Sequence, residues 1–246
     1  MTTDWREEAA WYDVFNPWGT SDDFYLDLVM SADRVLDVGC GTGTLLRRAR
    51  DNGHPGRLCG LDPDRGRLAR AQEQDARAQE QDDIEWVLGD AASARWDGEF
   101  DLAVMTGHAF QELVADDVLR ASLQAIHDAL ADGGRFAFET RDPRRRPWEH
   151  WDGMSFTATN PEDGGVVAVS YQVLDVTGDV VTTTETMSGQ WWDEPQVGHG
   201  TMRFLSQELL ARFLDEAGFE IKEQYGDWAR GPITGTTGEI ITVAGV

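Results

Sequence analysis

Lysine is nearly missing from this 246-residue chain: Lys222 is the single one among 21 basic residues, which face 45 acidic ones. A phosphate loop of the nucleoside triphosphatase type is thereby excluded, because its lysine must directly follow the second glycine. Cysteine is scarce as well. Cys40 and Cys59 lie near no histidine cluster, so they imply neither a disulfide framework nor a zinc site, and both are expected to pack as small apolar side chains. No apolar run approaches the ~20 residues of a membrane-spanning helix. The opening stretch MTTDWREEAAWYD has no basic region followed by an apolar run. The expected location is cytoplasmic, with no membrane partner. A formal net charge of −24 gives the surface a negative field that repels nucleic acid, and its plainest use is solubility.

What is present is a hydrophobic fraction of 41%, enough for one large core, and a stretch from Arg34 to Leu46, RVLDVGCGTGTLL. Val35, Leu36 and Val38 form a short apolar run that ends in glycines at 39, 41 and 43, after which Leu45 and Leu46 begin an amphipathic helix. Glycine permits positive φ and lets a ligand approach the main chain without meeting a Cβ, so this turn is built to hold something. The dinucleotide fingerprint G-x-G-x-x-G fits poorly, since positions 44 and 46 hold Thr44 and Leu46.

An acidic strand end followed by G-x-G-x-G, here Asp37-Val38-Gly39-Cys40-Gly41-Thr42-Gly43, resembles the first motif of the class I S-adenosylmethionine-dependent methyltransferases. Further matches follow at the right intervals. Arg57 to Asp62 reads as a second strand ending in an acid, Ile84 to Ala91 as a third with its exit, Phe100 to Gly107 as a nearly continuous apolar fourth, and Arg135 to Thr140 as a fifth. The resemblance spans about Arg34 to Thr140. It implies that Asp37, Gly39, Cys40, Gly41 and Thr44 hold the cofactor at the turn, that Asp62 accepts from the ribose hydroxyls with Pro63 and Leu61 flanking the adenine, and that Asp90 and Ala91 meet the adenine. Thr106, at the end of the fourth strand, belongs to the same set. The implied cofactor is S-adenosyl-L-methionine, with S-adenosyl-L-homocysteine as product.

Strands alternating with helices make a doubly wound sheet whose ligands bind at the carboxyl ends of the strands. The expected fold is α/β: a Rossmann-like, seven-stranded, mostly parallel sheet with a terminal antiparallel hairpin from Phe219 to Tyr225 and Glu239 to Val243. Asp64 to Gln81 reads as a solvated helix, Asp116 to Leu130 as another closed by the glycines at 133 and 134, and Gln207 to Ala217 as a third, capped by Ser206 and stopped by Gly218. From Met154 to Phe204 the pattern alternates in β fashion with a turn at Asp175 to Asp179, which predicts a small antiparallel β insertion. The expected division is an N-terminal helical lid over 1–30, a methyltransferase core over 31–152 and 205–246, and the insertion over 153–204 as an acceptor cap or a homodimer contact.

The first thirty residues are rich in aromatic side chains, with short helices expected near Asp4–Phe15 and Ser21–Ser31. In the family resembled such a segment covers cofactor and substrate, with Tyr12 or Trp11 facing inward; packing on the sheet edge is the competing use. Trp148, Trp192 and Arg141 complete the expected acceptor-binding set. The tryptophans outside 31–147 would either build an aromatic cavity suited to a ring or an amine, or fasten the insertion to the core. The run Arg144–Arg146 would either hold an anionic group or pair with surface acids.

The expected reaction is in-line methyl transfer to N or O of a small-molecule acceptor, with no catalytic metal. If the acceptor must lose a proton, His108 is the first candidate for the base, by its pKa and its place just after the fourth strand, ahead of Glu139 and Tyr12. The alternative is a catalytically silent S-adenosylmethionine-binding regulatory or partner protein.

Overall fold

The computed structural model describes residues 11–77, 84–160, 164–190 and 192–246. Residues 11–15 are helical, and the N-terminal part of the helix expected from Asp4 lies outside the described residues, as do 78–81 of the helix expected over Asp64–Gln81. Along the chain come α1 (Thr20–Met30), β1 (Arg34–Val38), α2 (Thr44–Asp51), β2 (Arg57–Asp62), α3 (Arg65–Arg77), β3 (Glu85–Leu88), β4 (Phe100–Met105), α4 (Asp116–Ala129) and β5 (Leu130–Arg141). After a helical turn at Trp148–Trp151 come β6 (Ser155–Thr159), β7 (Val166–Thr177), β8 (Val180–Gly189), β9 (Gln196–Arg203), α5 (Gln207–Glu216), β10 (Glu220–Tyr225) and β11 (Glu239–Gly245).

The main sheet has seven strands in the order β10-β11-β5-β4-β1-β2-β3, and the insertion is a separate four-stranded sheet in the order β6-β7-β8-β9. Strands β1 to β5 pair in parallel, whereas β11 runs antiparallel to both β5 and β10. This is the fold class expected from the sequence. Apolar side chains cover both faces. Phe136, Phe138 and Leu36 meet Leu119, Leu123 and Ile126 of α4 and Leu210, Phe213 and Leu214 of α5 on one face. On the other, Val35, Leu102, Val104 and Ala137 meet Phe24, Leu28 and Val29 of α1 and Leu45, Leu46 and Ala49 of α2. Each Val, Leu, Ile and Phe side chain among them contributes roughly 1.5–3 kcal/mol when fully buried.

One expected stop differs. The helix α4 ends at Ala129, and Leu130 takes an extended conformation, so the chain enters β5 before it reaches Gly133. Leu130 pairs with Phe100, and this strand contact closes the helix instead of a glycine cap. Both expected boundaries of α5 are met, the Ser206 hydroxyl accepting from Leu209 N at 3.2 Å at its start and Gly218 at φ 90° just past its end.

The order of strands reverses between β1 and β4, where parallel sheets of this kind open a crevice at their carboxyl ends. The 11–15 helix closes over that crevice. Asp13 accepts from the Thr42 hydroxyl and binds Arg70 at 2.7 Å, pinning the segment to the glycine turn and to α3.

Candidate active site

A cavity of about 410 Å³ lies at the carboxyl edge of β1, β4 and β5, within the size range of small-ligand pockets. Its wall includes Asp37, Gly39, Cys40 and Thr44 from β1 and the turn, Thr106 and His108 after β4, Glu139 and Arg141 at the end of β5, and Tyr12 from the N-terminal segment. All nine are residues the sequence singles out. Tyr25 of α1, Trp228 of the loop between β10 and β11, and Glu239 at the start of β11 join them.

The turn is held by backbone bonds. Gly39 N and Cys40 N donate to Leu61 O at 2.7 and 3.1 Å, and Gly41 N donates to Asp62 Oδ2 at 2.7 Å. Gly39, Gly41 and Gly43 have φ of 76°, 57° and 75°, a region other residues enter only with strain. Gly43 has a second reason. A Cβ there would lie 2.2 Å from the Trp86 ring, which packs beneath the turn.

Asp37 is 1% exposed, and its Oδ1 has no hydrogen-bond partner. Burial, followed by the charges of Asp62 and Glu139, pushes its pKa up to about 8. An orphaned carboxylate oxygen on a cavity wall beside a glycine turn fits the ammonium of an amino-acid ligand. The methionyl end of S-adenosylmethionine carries such a group, so this part of the wall fits the cofactor the motif implies.

The Tyr12 ring lies over the turn, 3.3 Å from where a Cβ on Gly41 would be, with the Arg67 guanidinium 4.4 Å from its centroid. Burial raises its pKa against the lowering influence of Arg67. Trp11, one residue earlier, faces elsewhere: it is buried against Val167 and Val169 of β7 and stacks on Phe15. Adjacent helical positions point about 100° apart, so only one of the two reaches the turn.

Asp62 is 2% exposed and already bound through both oxygens, with Oδ1 accepting from Asp64 N at 2.8 Å. Burial raises its pKa, and the two backbone donors oppose the rise. Among the described residues Gly41, Asp62, Pro63, Asp90 and Ala91 are not on the cavity wall. Pro63 borders a separate hollow with Leu68 and Leu88, and Asp90 caps a short 3-10 turn by accepting from Ser93 N at 2.8 Å.

The acceptor-side wall is a hydrogen-bonded network. Glu139, 1% exposed, accepts from the Tyr25 hydroxyl and from His108 N, the latter at 2.8 Å. Burial raises its pKa, and His108 and Tyr25 oppose that rise. The His108 imidazole places Nε2 3.0 Å from Glu239 Oε2 and Nδ1 3.9 Å from Glu139 Oε1. His108 itself sits at φ 62°, a costly conformation for a non-glycine residue and one found at sites where geometry matters.

The remaining expected residues divide. Trp148 packs on Phe204 with centroids 4.7 Å apart, and Trp192 packs among Trp11, Val167 and Val169, so neither joins the wall. The basic run binds locally, Arg144 to Asp142 and Arg146 to Glu149 at 2.8 Å. Among the described residues none from β6 to β9 lines the cavity. The sequence singles out none of Tyr25, Trp228 and Glu239 individually: Tyr25 stands among the N-terminal aromatics, Trp228 among the tryptophans outside 31–147, and Glu239 at the start of the last strand.

Known proteins share this fold. A family profile described as a methyltransferase domain matches residues 35–134. A 2-phytyl-1,4-naphtoquinone methyltransferase of Nostoc punctiforme (strain ATCC 29133 / PCC 73102) is 35% identical over 109 residues, which span 44% of this chain and 46% of that protein. The chain thus matches less than half the length of that relative. The crystal structure of an S-adenosylmethionine-dependent methyltransferase from Clostridium acetobutylicum ATCC 824 superposes with TM-score 0.78 at 16% identity, covering 98% of both chains. CalS10, an amino pentose methyltransferase of Micromonospora echinaspora solved with its S-adenosylmethionine, superposes with TM-score 0.69 at 23% identity, covering 97% of this chain and 95% of that one. Residues 35–134 match a methyltransferase-domain profile, and the chain that carries them has the class I S-adenosylmethionine-dependent methyltransferase fold.

Proposed function

We propose that this protein transfers a methyl group from S-adenosylmethionine to a nitrogen or oxygen of a small molecule. The observation that carries the reading is the unpartnered, buried Asp37 oxygen on the cavity wall beside a turn of three left-handed glycines. Asp37 holds the cofactor's ammonium, the backbone at Gly39 and Gly41 lets it approach, and Asp62 offers its remaining lone pairs to the ribose at the end of β2. Asp90 and Ala91 stand after β3 for the adenine.

When bound, S-adenosylmethionine supplies an activated methyl on a positively charged sulfur. The wall that faces it is rich in carboxylates, Asp22, Asp37, Glu139 and Glu239, which favour positive charge in the cavity. Tyr12 and its segment exclude water from the turn. Positioning an acceptor in line and dry supplies most of the rate in such transfers.

Where the acceptor must lose a proton, His108 takes it. The Glu239 carboxylate can only accept, so it fixes the imidazole with hydrogen on Nε2 and leaves the lone pair on Nδ1. Glu239 and Glu139 then stabilise the imidazolium. Glu139 is a positioning residue, since Tyr25 and the His108 backbone already occupy its oxygens.

The test is incubation with methyl-labelled S-adenosylmethionine and a panel of amines, phenols and hydroxy and amino acids. Label appearing in an acceptor, with S-adenosylhomocysteine formed in equal amount, supports the reading. Tight cofactor binding with no transfer to any acceptor would instead favour a silent cofactor-binding protein.

A further inference from the structure

We propose that Arg141 fixes the acceptor through a carboxylate, so that the molecule methylated is an amino or hydroxy carboxylic acid. The inference rests on the methyl-transfer reading above and adds the chemical class of the acceptor.

Arg141 ends β5 on the cavity wall. Its guanidinium donates from Nη1 to Gln111 Oε1 at 3.1 Å and lies 5.1 Å from the Trp151 ring centroid. Among the described residues it has no ion-pair partner. Gln111 is itself 1% exposed and held by donating to Arg203 O at 3.0 Å, so its oxygen is a fixed anchor. Stacking sets the plane of the guanidinium, the amide sets its rotation, and the other donors of the fork remain for a ligand.

Among the described residues Arg141 is the one arginine on the cavity wall, in a chain with 45 acidic and 21 basic residues. Arg203 bonds both Asp116 and Asp179, and Arg144 grips Asp142. The acids nearest Arg141 are otherwise occupied. Glu239, its partner across the β5–β11 register, is bound to His108 Nε2, and Glu139 is bound by Tyr25 and His108 N. Burial lowers the Arg141 pKa while those two carboxylates raise it, so they lie near enough to act through space yet do not pair with it. A desolvated cation without a counter-ion costs free energy that a bidentate carboxylate would restore.

The rest of the wall narrows the class. Asp22, Asp37, Glu139 and Glu239 repel a dianionic phosphate more than a monoanionic carboxylate. Those acids and the rings of Tyr25 and Trp228 also suit an amine on the same acceptor.

The test uses the full chain saturated with S-adenosylhomocysteine and matched probes that differ in one group: glycine and glycinamide, β-alanine and β-alaninamide, 3-aminobenzoate and 3-aminobenzamide, 4-hydroxybenzoate and 4-hydroxybenzamide, with phosphoethanolamine alongside. The expected result is that at least one acid binds about tenfold or more tighter than its amide. Arg141→Met should erase that preference and raise KM for the acid more than it lowers kcat, with S-adenosylhomocysteine affinity unchanged, while Arg141→Lys keeps part of the preference. Equal binding of acid and amide in every pair, preference for phosphoethanolamine, or an undiminished preference in Arg141→Met would overturn the proposal. Failure of the wild-type chain to bind S-adenosylhomocysteine would instead overturn the cofactor reading beneath it.

Discussion

The Tyr25 hydroxyl donates to the buried carboxylate of Glu139 across 114 residues of sequence, tying the first described helix of the core to the carboxyl end of β5. The bond orients the carboxylate whose other oxygen holds the strained His108 backbone. Tyr25→Phe leaves a buried carboxylate oxygen short of a partner and should destabilise the fold by about 1–3 kcal/mol. The denaturant midpoint reads this directly, and an unchanged midpoint would mean the bond contributes nothing net.

Asp37 makes stability and ligand affinity pull in opposite directions with pH. Its folded pKa, up to about 8, lies above that of an unfolded aspartate, so the folded state binds more protons between about pH 4 and 8. Its contribution therefore lowers stability as pH rises through that window and levels off above it. Asp37→Asn should remove this penalty and stabilise the protein at pH 8 by on the order of 2 kcal/mol. The same change should weaken S-adenosylhomocysteine binding. In the wild type, binding near pH 7 should release about one proton as the ammonium arrives, measurable by calorimetry in buffers of different ionisation enthalpy.

His108 can be tested without disturbing its backbone. Asparagine tolerates the left-handed region better than most residues, so His108→Asn should keep the φ of 62° and the bond from its N–H to Glu139. Transfer to a protonated acceptor should fall about 10²–10⁴-fold, with cofactor affinity unchanged. Full activity would remove His108 from the base role.

The ribose position separates two kinds of damage. Asp62→Ala removes the acceptor for Gly41 N and Asp64 N as well as the ribose partner. It should weaken cofactor binding by about 1.5–3 kcal/mol and lower stability too. Asp62→Asn retains one carbonyl acceptor and should lose less of both.

Gly43 tests the packing beneath the turn. Gly43→Ala places a methyl 2.2 Å from the Trp86 ring at φ 75°, and overpacking of this kind costs typically 1–3 kcal/mol beyond the backbone strain. Gly53, at φ 81° with nothing within 4 Å of a Cβ, isolates the strain alone. Equal losses in thermal melts of the two alanine variants would show that Trp86 yields at no cost.

The parallel core was legible because buried strands write themselves as short apolar runs ending in acids and glycines, and β1, β2, β4 and β5 fall where those runs lie. The β insertion was visible as alternation, yet its relation to the cavity was not, since packing against Trp11 and Phe15 depends on which way adjacent helical side chains point. Tyr25, Trp228 and Glu239 could not be told apart from similar residues nearby, for a different reason. Tyr25 comes from α1, and Trp228 and Glu239 come from the antiparallel closure of the sheet, whose register sets Glu239 opposite Arg141.

The measurement that bears most directly on the central claim is calorimetric titration of the purified chain with S-adenosylmethionine, S-adenosylhomocysteine and NAD in parallel. The account predicts micromolar binding of both adenosyl ligands and none of NAD, with the adenosyl affinity weakened in Asp37→Asn. Binding of NAD, or silence from both adenosyl ligands, would contradict it.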